Sequence, residues 1–320
     1  MVSELTRVLK DRDPAYGGVS VLTTGDPGCG KSNALASIAL KDFKKGNIVM
    51  WRGKNTCQWS ILTYKTKKLK FWFKEGLTYK LIKRIKKKNS LGKKKYSSFK
   101  YFGKVETYKD EKDLINRVDN EYINIIQTTP HSTKSNAQTK EFIREWIDIL
   151  DEMISRFYDD PITLIYDEYE DFAPAAKKGT YRLVNQVGDI QKELRKHDIH
   201  FFGATHKVTE IFHVVLNKIP WMIYMKGARP RAGSRVYRKS TMKLKAGEAI
   251  IDGQRFTNFK FKFVGQAKKF TSEIHLPQKT MEKFQKEDDL SRKLEEREIE
   301  LSYNTKGNKD TTGGSLNSTE

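Results

Sequence analysis

Residues 25–32 read Gly25-Asp26-Pro27-Gly28-Cys29-Gly30-Lys31-Ser32, the pattern G-x-x-x-x-G-K-S. The run before it, Gly18-Val19-Ser20-Val21-Leu22-Thr23-Thr24, is β-branched and reads as a buried strand. Asn33 to Leu40 reads as a helix. Strand, glycine loop and helix are the context this motif requires. The glycines let the backbone curl so that successive N–H groups converge, and the helix N-terminus adds a partial positive charge. Such a cradle holds a phosphate chain. Gly25, Asp26, Pro27, Gly28, Cys29, Gly30, Lys31, Ser32 and Asn33 are therefore the expected nucleotide-binding residues, with ATP as the nucleotide. Lys31 would reach the β- and γ-phosphates, and the Ser32 hydroxyl would ligate Mg²⁺.

Composition bounds the rest. The chain has 320 residues, room for one large α/β domain with an appendage or for two small domains. Only 37% are hydrophobic and 32% are charged. No stretch approaches the roughly eighteen apolar residues needed to cross a bilayer. Met1 to Arg12 lacks the apolar centre of a secretory signal. The expectation is a cytoplasmic protein, in the host cytoplasm if the chain is viral, with no membrane span. Two cysteines, Cys29 and Cys57, exclude a zinc site built from cysteine alone, and a disulfide from inside the glycine loop is not expected.

The net charge is +21, and it is concentrated. Residues 65–104 hold sixteen Lys or Arg and one acid, Glu75. A block of this kind seeks a polyanion, nucleic acid first and a membrane surface second, or it is a solvated lysine surface. Aromatics are spaced through it, among them Trp59, Phe71, Trp72, Phe73, Tyr79, Tyr96, Phe99, Tyr101 and Phe102. Some would form a small core and others could stack on bases. Residues 70–74 and 77–81 flank Glu75-Gly76, and 98–102 and 105–108 flank Gly103-Lys104, which predicts two hairpins.

Around this block the chain alternates strand and helix. Strands are expected at 47–51, 122–127, 162–166, 199–204 and 221–225, and helices at 31–44, 112–120, 140–158, 180–196 and 207–216. That order means an α/β fold, a mainly parallel sheet with helices on both faces. The organisation expected is a P-loop ATPase core (RecA/ASCE-like) over 1–52 and 114–278, a basic β-rich insertion over 53–113, a charged helix over 279–301 and a disordered tail over 302–320.

Three further features carry chemistry. Ile162-Thr163-Leu164-Ile165-Tyr166 is an apolar strand that ends in Asp167-Glu168. At the carboxyl end of a sheet strand an acid can hold Mg²⁺, so Asp167 joins Ser32 as the metal pair. Glu168 is then placed to activate the attacking water as a general base. The alternative is a plain acidic turn, since Glu170 and Asp171 continue the run. The next strand ends in Thr205-His206, and His206 is the candidate to bond the γ-phosphate or the water, with Thr205 second. Finally, Arg229, Arg231 and Arg235 lie in a glycine-rich loop after the strand at 221–225. An arginine supplied across a subunit boundary stabilises charge on a transferring phosphoryl group. DNA-backbone binding or plain solvation are the other readings of that loop.

These parts, in this order, resemble the FtsK/HerA superfamily of DNA-pumping ATPases. In that family a helix after the acid pair leads through an R-x-x-G-I-H turn into a strand ending in A-T-Q. Here the turn is Arg195-Lys196-His197-Asp198-Ile199-His200 and the ending is Ala204-Thr205-His206. Ile219-Pro220-Trp221-Met222-Ile223 is similar to the family's I-P-x-x-I strand, and Leu244-Lys245-Ala246-Gly247-Glu248-Ala249 to its L-x-x-G-E-A turn. The match covers about 17–51 and 120–265 and leaves out the basic insertion and the tail. His206 stands where the family has glutamine, and the arginine loop does not align residue by residue. The resemblance implies a homo-oligomer, a hexameric ring that translocates double-stranded DNA. It implies kinship with viral genome-packaging and conjugative coupling ATPases. Two other functions fit the same motif: a small-molecule (nucleotide) kinase, and an assembly or replication-initiator protein that uses ATP as a switch.

Overall fold

The computed structural model describes residues 17–307 apart from 55, 89–93, 99–102, 132–134, 157–160, 176–178, 253–256, 261–262 and 267–269. Of the tail expected over 302–320, residues 302–307 continue the last helix instead, and 308–320, like the aromatics Phe99, Tyr101 and Phe102, lie outside the described residues.

Five-residue apolar runs form the centre of the molecule. β1 (Ser20–Thr24), β2 (Ile48–Arg52), β7 (Ile123–Gln127), β8 (Ile162–Tyr166) and β10 (Trp221–Met225) are buried at every position. Strands apolar on both faces belong inside a sheet covered on both sides. With β3 (Leu69–Lys74), β6 (Lys104–Tyr108), β9 (His200–Thr205), β11 (Glu248–Asp252) and β12 (Thr257–Lys260) they make a ten-stranded sheet, ordered β12-β11-β10-β1-β9-β8-β2-β7-β3-β6. From β10 to β6 all neighbours run parallel, and β11 and β12 add antiparallel pairing at one end.

Alternate strand residues feed two cores. Leu22, Met50, Trp72, Leu164 and Tyr224 face one layer, formed by α2 (Glu111–Arg117), α3 (Asn136–Ser155), α4 (Tyr181–Lys196) and α5 (His213–Leu216). Val21, Trp51, Phe71, Ile165 and Ile223 face the other, formed by α1 (Lys31–Lys44) and a 3₁₀ turn, Gln58–Tyr64. This is the mainly parallel sheet with helices on both faces that the alternation predicts.

The basic segment folds differently from expectation. β3 does not turn back through Gly76 as a hairpin, because it pairs in parallel with β6 and β7. The reason lies in its side chains: Leu69, Phe71 and Phe73 serve one core and Trp72 the other, so β3 needs cover on both faces. Of the hairpin expected around Gly103, residues 99–102 lie outside the described residues, and 105–108 pair in parallel with β3. β4 (Thr78–Lys88), β5 (Lys94–Ser98) and β13 (Phe270–His275) form a separate antiparallel sheet, ordered β13-β4-β5. Residues 53–113 are thus divided between the two sheets.

The helix expected over 207–216 is two short turns, Val208–Glu210 and α5. Between them Ile211 bridges Pro174, Phe212 N–H donates to Ala173 O at 2.9 Å, and Glu210 O accepts from Ala175 N–H at 2.8 Å. That strand-like pairing takes the backbone groups a helix would use. Past it come a short helix, α6 (Arg238–Met242), and α7, which spans Gln278–Gly307. α7 rests on α3, where Asp288 accepts from Ala137 N–H at 2.8 Å, and its Phe284 is buried.

Candidate nucleotide site

β1 stops at Thr24, and the glycine loop bridges it to α1. Gly30 caps α1 in a left-handed conformation, φ 110°, which an L side chain rarely adopts. No acid of its own occupies the first turn of α1, which leaves its partial positive end open to an anion from outside the helix. Lys31 folds back over the loop: its Nζ donates to Gly25 O at 2.8 Å and Asp26 O at 3.2 Å. The same ammonium lies 3.1 Å from His206 Nδ1. Burial, and then the Lys31 charge, push the His206 imidazole below its usual range, which keeps the ring neutral and able to accept from Lys31.

β9 lies between β1 and β8, with Thr24 level with Thr205 and Tyr166 with Gly203. The loop, His206 and the acid pair therefore leave the sheet at one edge. Ser32 Oγ donates to Asp167 Oδ2 at 2.8 Å, across 135 residues of chain. Burial pushes the Asp167 carboxyl up, while the Ser32 hydrogen bond and the Lys31 charge draw it back down. Glu168 is left-handed, φ 57°, a strained state for a residue with a side chain. Arg52, at the end of β2, pins that turn: its Nη1 donates to Asp167 O at 3.3 Å and to Glu168 O at 3.1 Å. Lys54 forms an ion pair with the Glu168 carboxylate. It also reaches Asp171 Oδ2 at 2.8 Å, the oxygen that Arg52 Nη2 bonds at 2.7 Å. Burial alone would raise the Asp171 carboxyl, but Arg52, Lys54 and His131 outweigh it and hold that carboxyl well below the usual range.

One cavity of about 690 Å³ collects Pro27, Gly28, Gly30, Lys31, Ser32 and Asn33 together with Asp167, Glu168 and His206. No protein-family model matches the chain, and no curated protein matches its sequence. Solved structures do match in shape. TrwB, a bacterial conjugative coupling protein, aligns over 83% of this chain and 92% of its own, with a TM-score of 0.52 at 10% identity. VirB4 of Thermoanaerobacter pseudethanolicus aligns over 79% and 91%, with a TM-score of 0.51 at 11% identity. The genome packaging NTPase B204 from Sulfolobus turreted icosahedral virus 2 aligns over 76% and 97%, with a TM-score of 0.44 at 12% identity. The chain has the P-loop NTPase fold.

Within this P-loop NTPase fold two loop residues turn away from the cavity. Cys29 is buried against Met225, and burial raises its thiol pKa. Asp26 projects outward, where its side chain blocks any Cβ at Gly227. The arginines also stand apart. Arg229 and Arg231 line a second cavity of about 380 Å³, with Lys207 and His213. Arg231 is tied down, its Nη1 donating to Ile219 O at 3.0 Å and its N–H to the Tyr224 hydroxyl at 3.2 Å. Arg229 and Arg235 are exposed. Sequence inspection overlooked Arg52 and Lys54. The signal was available, two cations at the end of a strand, but nothing local says that β2 lies beside β8.

Proposed function

We propose that the chain is an ATP-hydrolysing motor that acts on nucleic acid, a DNA translocase or packaging ATPase of FtsK/HerA type. The observation that carries the reading is the meeting of the glycine loop with the acid pair: Ser32 bonds Asp167 while Glu168 and His206 line the same cavity. A fold shared with a conjugative coupling protein agrees with this. The loop amides and Lys31 would hold the triphosphate. Ser32 and Asp167 offer hard oxygen donors suited to Mg²⁺, which takes few protein ligands and fills its shell with phosphate oxygens and water. Ser32 Oγ and Asp167 Oδ2, 2.8 Å apart beside the glycine loop, are the pair that would hold it. When bound there, Mg²⁺ supplies charge neutralisation on the phosphate oxygens.

Glu168 takes a proton from water as the water attacks the γ-phosphorus, and the bond to the β–γ bridging oxygen breaks, leaving ADP and phosphate. His206, neutral and bonded to Lys31, stands where it can report the γ-phosphate to β9. Arg229 and Arg235, exposed and outside the cavity, suit a role in a neighbouring subunit's site, and Arg231, held by its own chain, does not. The functional unit is then a homo-oligomeric ring. No helix among the described residues is long and apolar enough to cross a membrane.

The test is phosphate release by the purified chain with and without linear duplex DNA, alongside particle mass with and without nucleotide. DNA-stimulated release is the expected result. Glu168→Gln should bind ATP normally and lose turnover by about 10²–10⁴-fold, the usual worth of a positioned base. Undiminished release by Glu168→Gln would remove it from that role. Phosphate transfer to a nucleoside would establish the kinase alternative, and slow, unstimulated turnover with nucleotide-dependent ring formation the assembly-switch alternative.

A further inference from the structure

The cavity over the glycine loop has an end that phosphate chemistry leaves unused. Its walls there are Gln58 and Ile61 from the 3₁₀ turn, and Phe263 and Gln266 from the segment after β12. Phe263 is a large aromatic side chain left 48% exposed on a cavity wall. Its position is built. Asn33 Oδ1, at the start of α1, accepts from Val264 N–H at 2.9 Å and Gly265 N–H at 3.1 Å. Gly265 lies so close to the Tyr64 ring that a Cβ would sit 2.5 Å from Cδ2. The Phe263 ring in turn reaches Gly30, where a Cβ would lie 3.2 Å from its Cε1. The chain thus uses two hydrogen bonds and a glycine contact to hold an uncovered ring beside the phosphate cradle.

A flat apolar face is a platform for a base, and base–aromatic stacking is worth about 1–3 kcal/mol. The carboxamides of Gln58 and Gln266 each offer a donor and an acceptor, the pair that reads an adenine edge. We propose that Phe263 stacks the purine ring of the bound nucleotide, with Ile61 closing the apolar wall and Gln58 and Gln266 bonding the adenine edge. The subsite rests on the nucleotide reading of the glycine loop. It makes the segment after β12, far from the motif in sequence, the part that distinguishes an adenine nucleotide from a bare polyphosphate.

Calorimetry of the full chain with Mg²⁺ tests it, using ATP and inorganic tripolyphosphate as the two probes. Phe263→Ala should weaken ATP by about tenfold or more and leave tripolyphosphate unchanged. Phe263→Trp, which keeps a stacking face, should retain ATP. Unaltered ATP affinity in Phe263→Ala would overturn the proposal, and so would equal losses for both probes, because the ring would then be supporting the loop. A wild-type chain that took up neither probe would overturn the nucleotide reading itself and the subsite with it. A chain that bound tripolyphosphate as well as ATP would overturn the subsite alone.

Discussion

Glu168 is held by two cations in two ways. Arg52 bonds the carbonyls of Asp167 and Glu168, and so maintains the left-handed turn that aims the carboxylate into the cavity. Lys54 sits on the carboxylate itself. An ammonium bonded to the carboxylate occupies oxygens that would otherwise face the water. Burial and the nearby Arg52 push the Lys54 amine below its usual range, with Asp171 opposing them. Lys54 therefore has a second anion, Asp171, to rest on when it leaves Glu168. Lys54→Ala should raise ATP turnover without DNA several-fold and shrink the stimulation DNA provides, measured as steady-state phosphate release. A fall in the DNA-free rate would make Lys54 part of the catalytic apparatus instead. The glycine loop and the acid pair were legible because each is contiguous: the residues that cooperate are neighbours in the chain. Arg52 and Lys54 were not, because 116 residues separate Arg52 from the Glu168 carbonyl it bonds.

Among the elements, α3 shows how packing reaches the site. Its buried stripe, Phe142, Ile143, Trp146, Ile149, Leu150 and Met153, has helical spacing and was readable as such. Its start was not. Ser135 accepts from Gln138 N–H at 3.2 Å and begins the helix at Asn136, ahead of the first large apolar residue. Trp146 is 1% exposed, donates through Nε1 to Thr128 Oγ1 at 3.1 Å, and meets Tyr166 edge-on with ring centres 4.8 Å apart. Tyr166 is the last residue of β8 before the acids. Trp146→Ala should cost about 3–5 kcal/mol of unfolding free energy, read as a lower urea midpoint. A cost below about 1 kcal/mol would show that neighbouring side chains collapse into the space. The segment 207–216 shows the opposite limit. Its composition allowed a helix, but residues 173–175 claimed its backbone, and that competition involves a partner remote in the chain.

Across the whole molecule, the basic block is divided. Lys70, Lys74 and Lys104 lie in β3 and β6 and pair with acids: Lys70 with Asp119, Lys74 with Glu111 at 2.8 Å and Glu145 at 3.2 Å, Lys104 with Glu106 at 2.8 Å. β4 and β5 of the second sheet carry eight more Lys or Arg. If these grip phosphates, DNA affinity should fall about a thousandfold between 50 and 200 mM salt for roughly six contacts, measured by titration at each salt concentration. A flat response would mean the charge is only solvated. Composition showed the excess charge and where along the chain it lies. It could not show that Lys70 and Lys74 have acids waiting, because Asp119, Glu111 and Glu145 come from other parts of the chain. The same division runs through the fold. The cradle, the strand–helix alternation and the two-sided burial of the strands follow from short-range backbone geometry and side-chain period, so the amino-acid order alone implies them. Strand order, the diversion of β3 and β6 into the main sheet, the cations around Glu168 and the aromatic wall at Phe263 depend on which distant faces fit together. Packing energy is summed over the whole core, so those placements emerge only when the chain is folded.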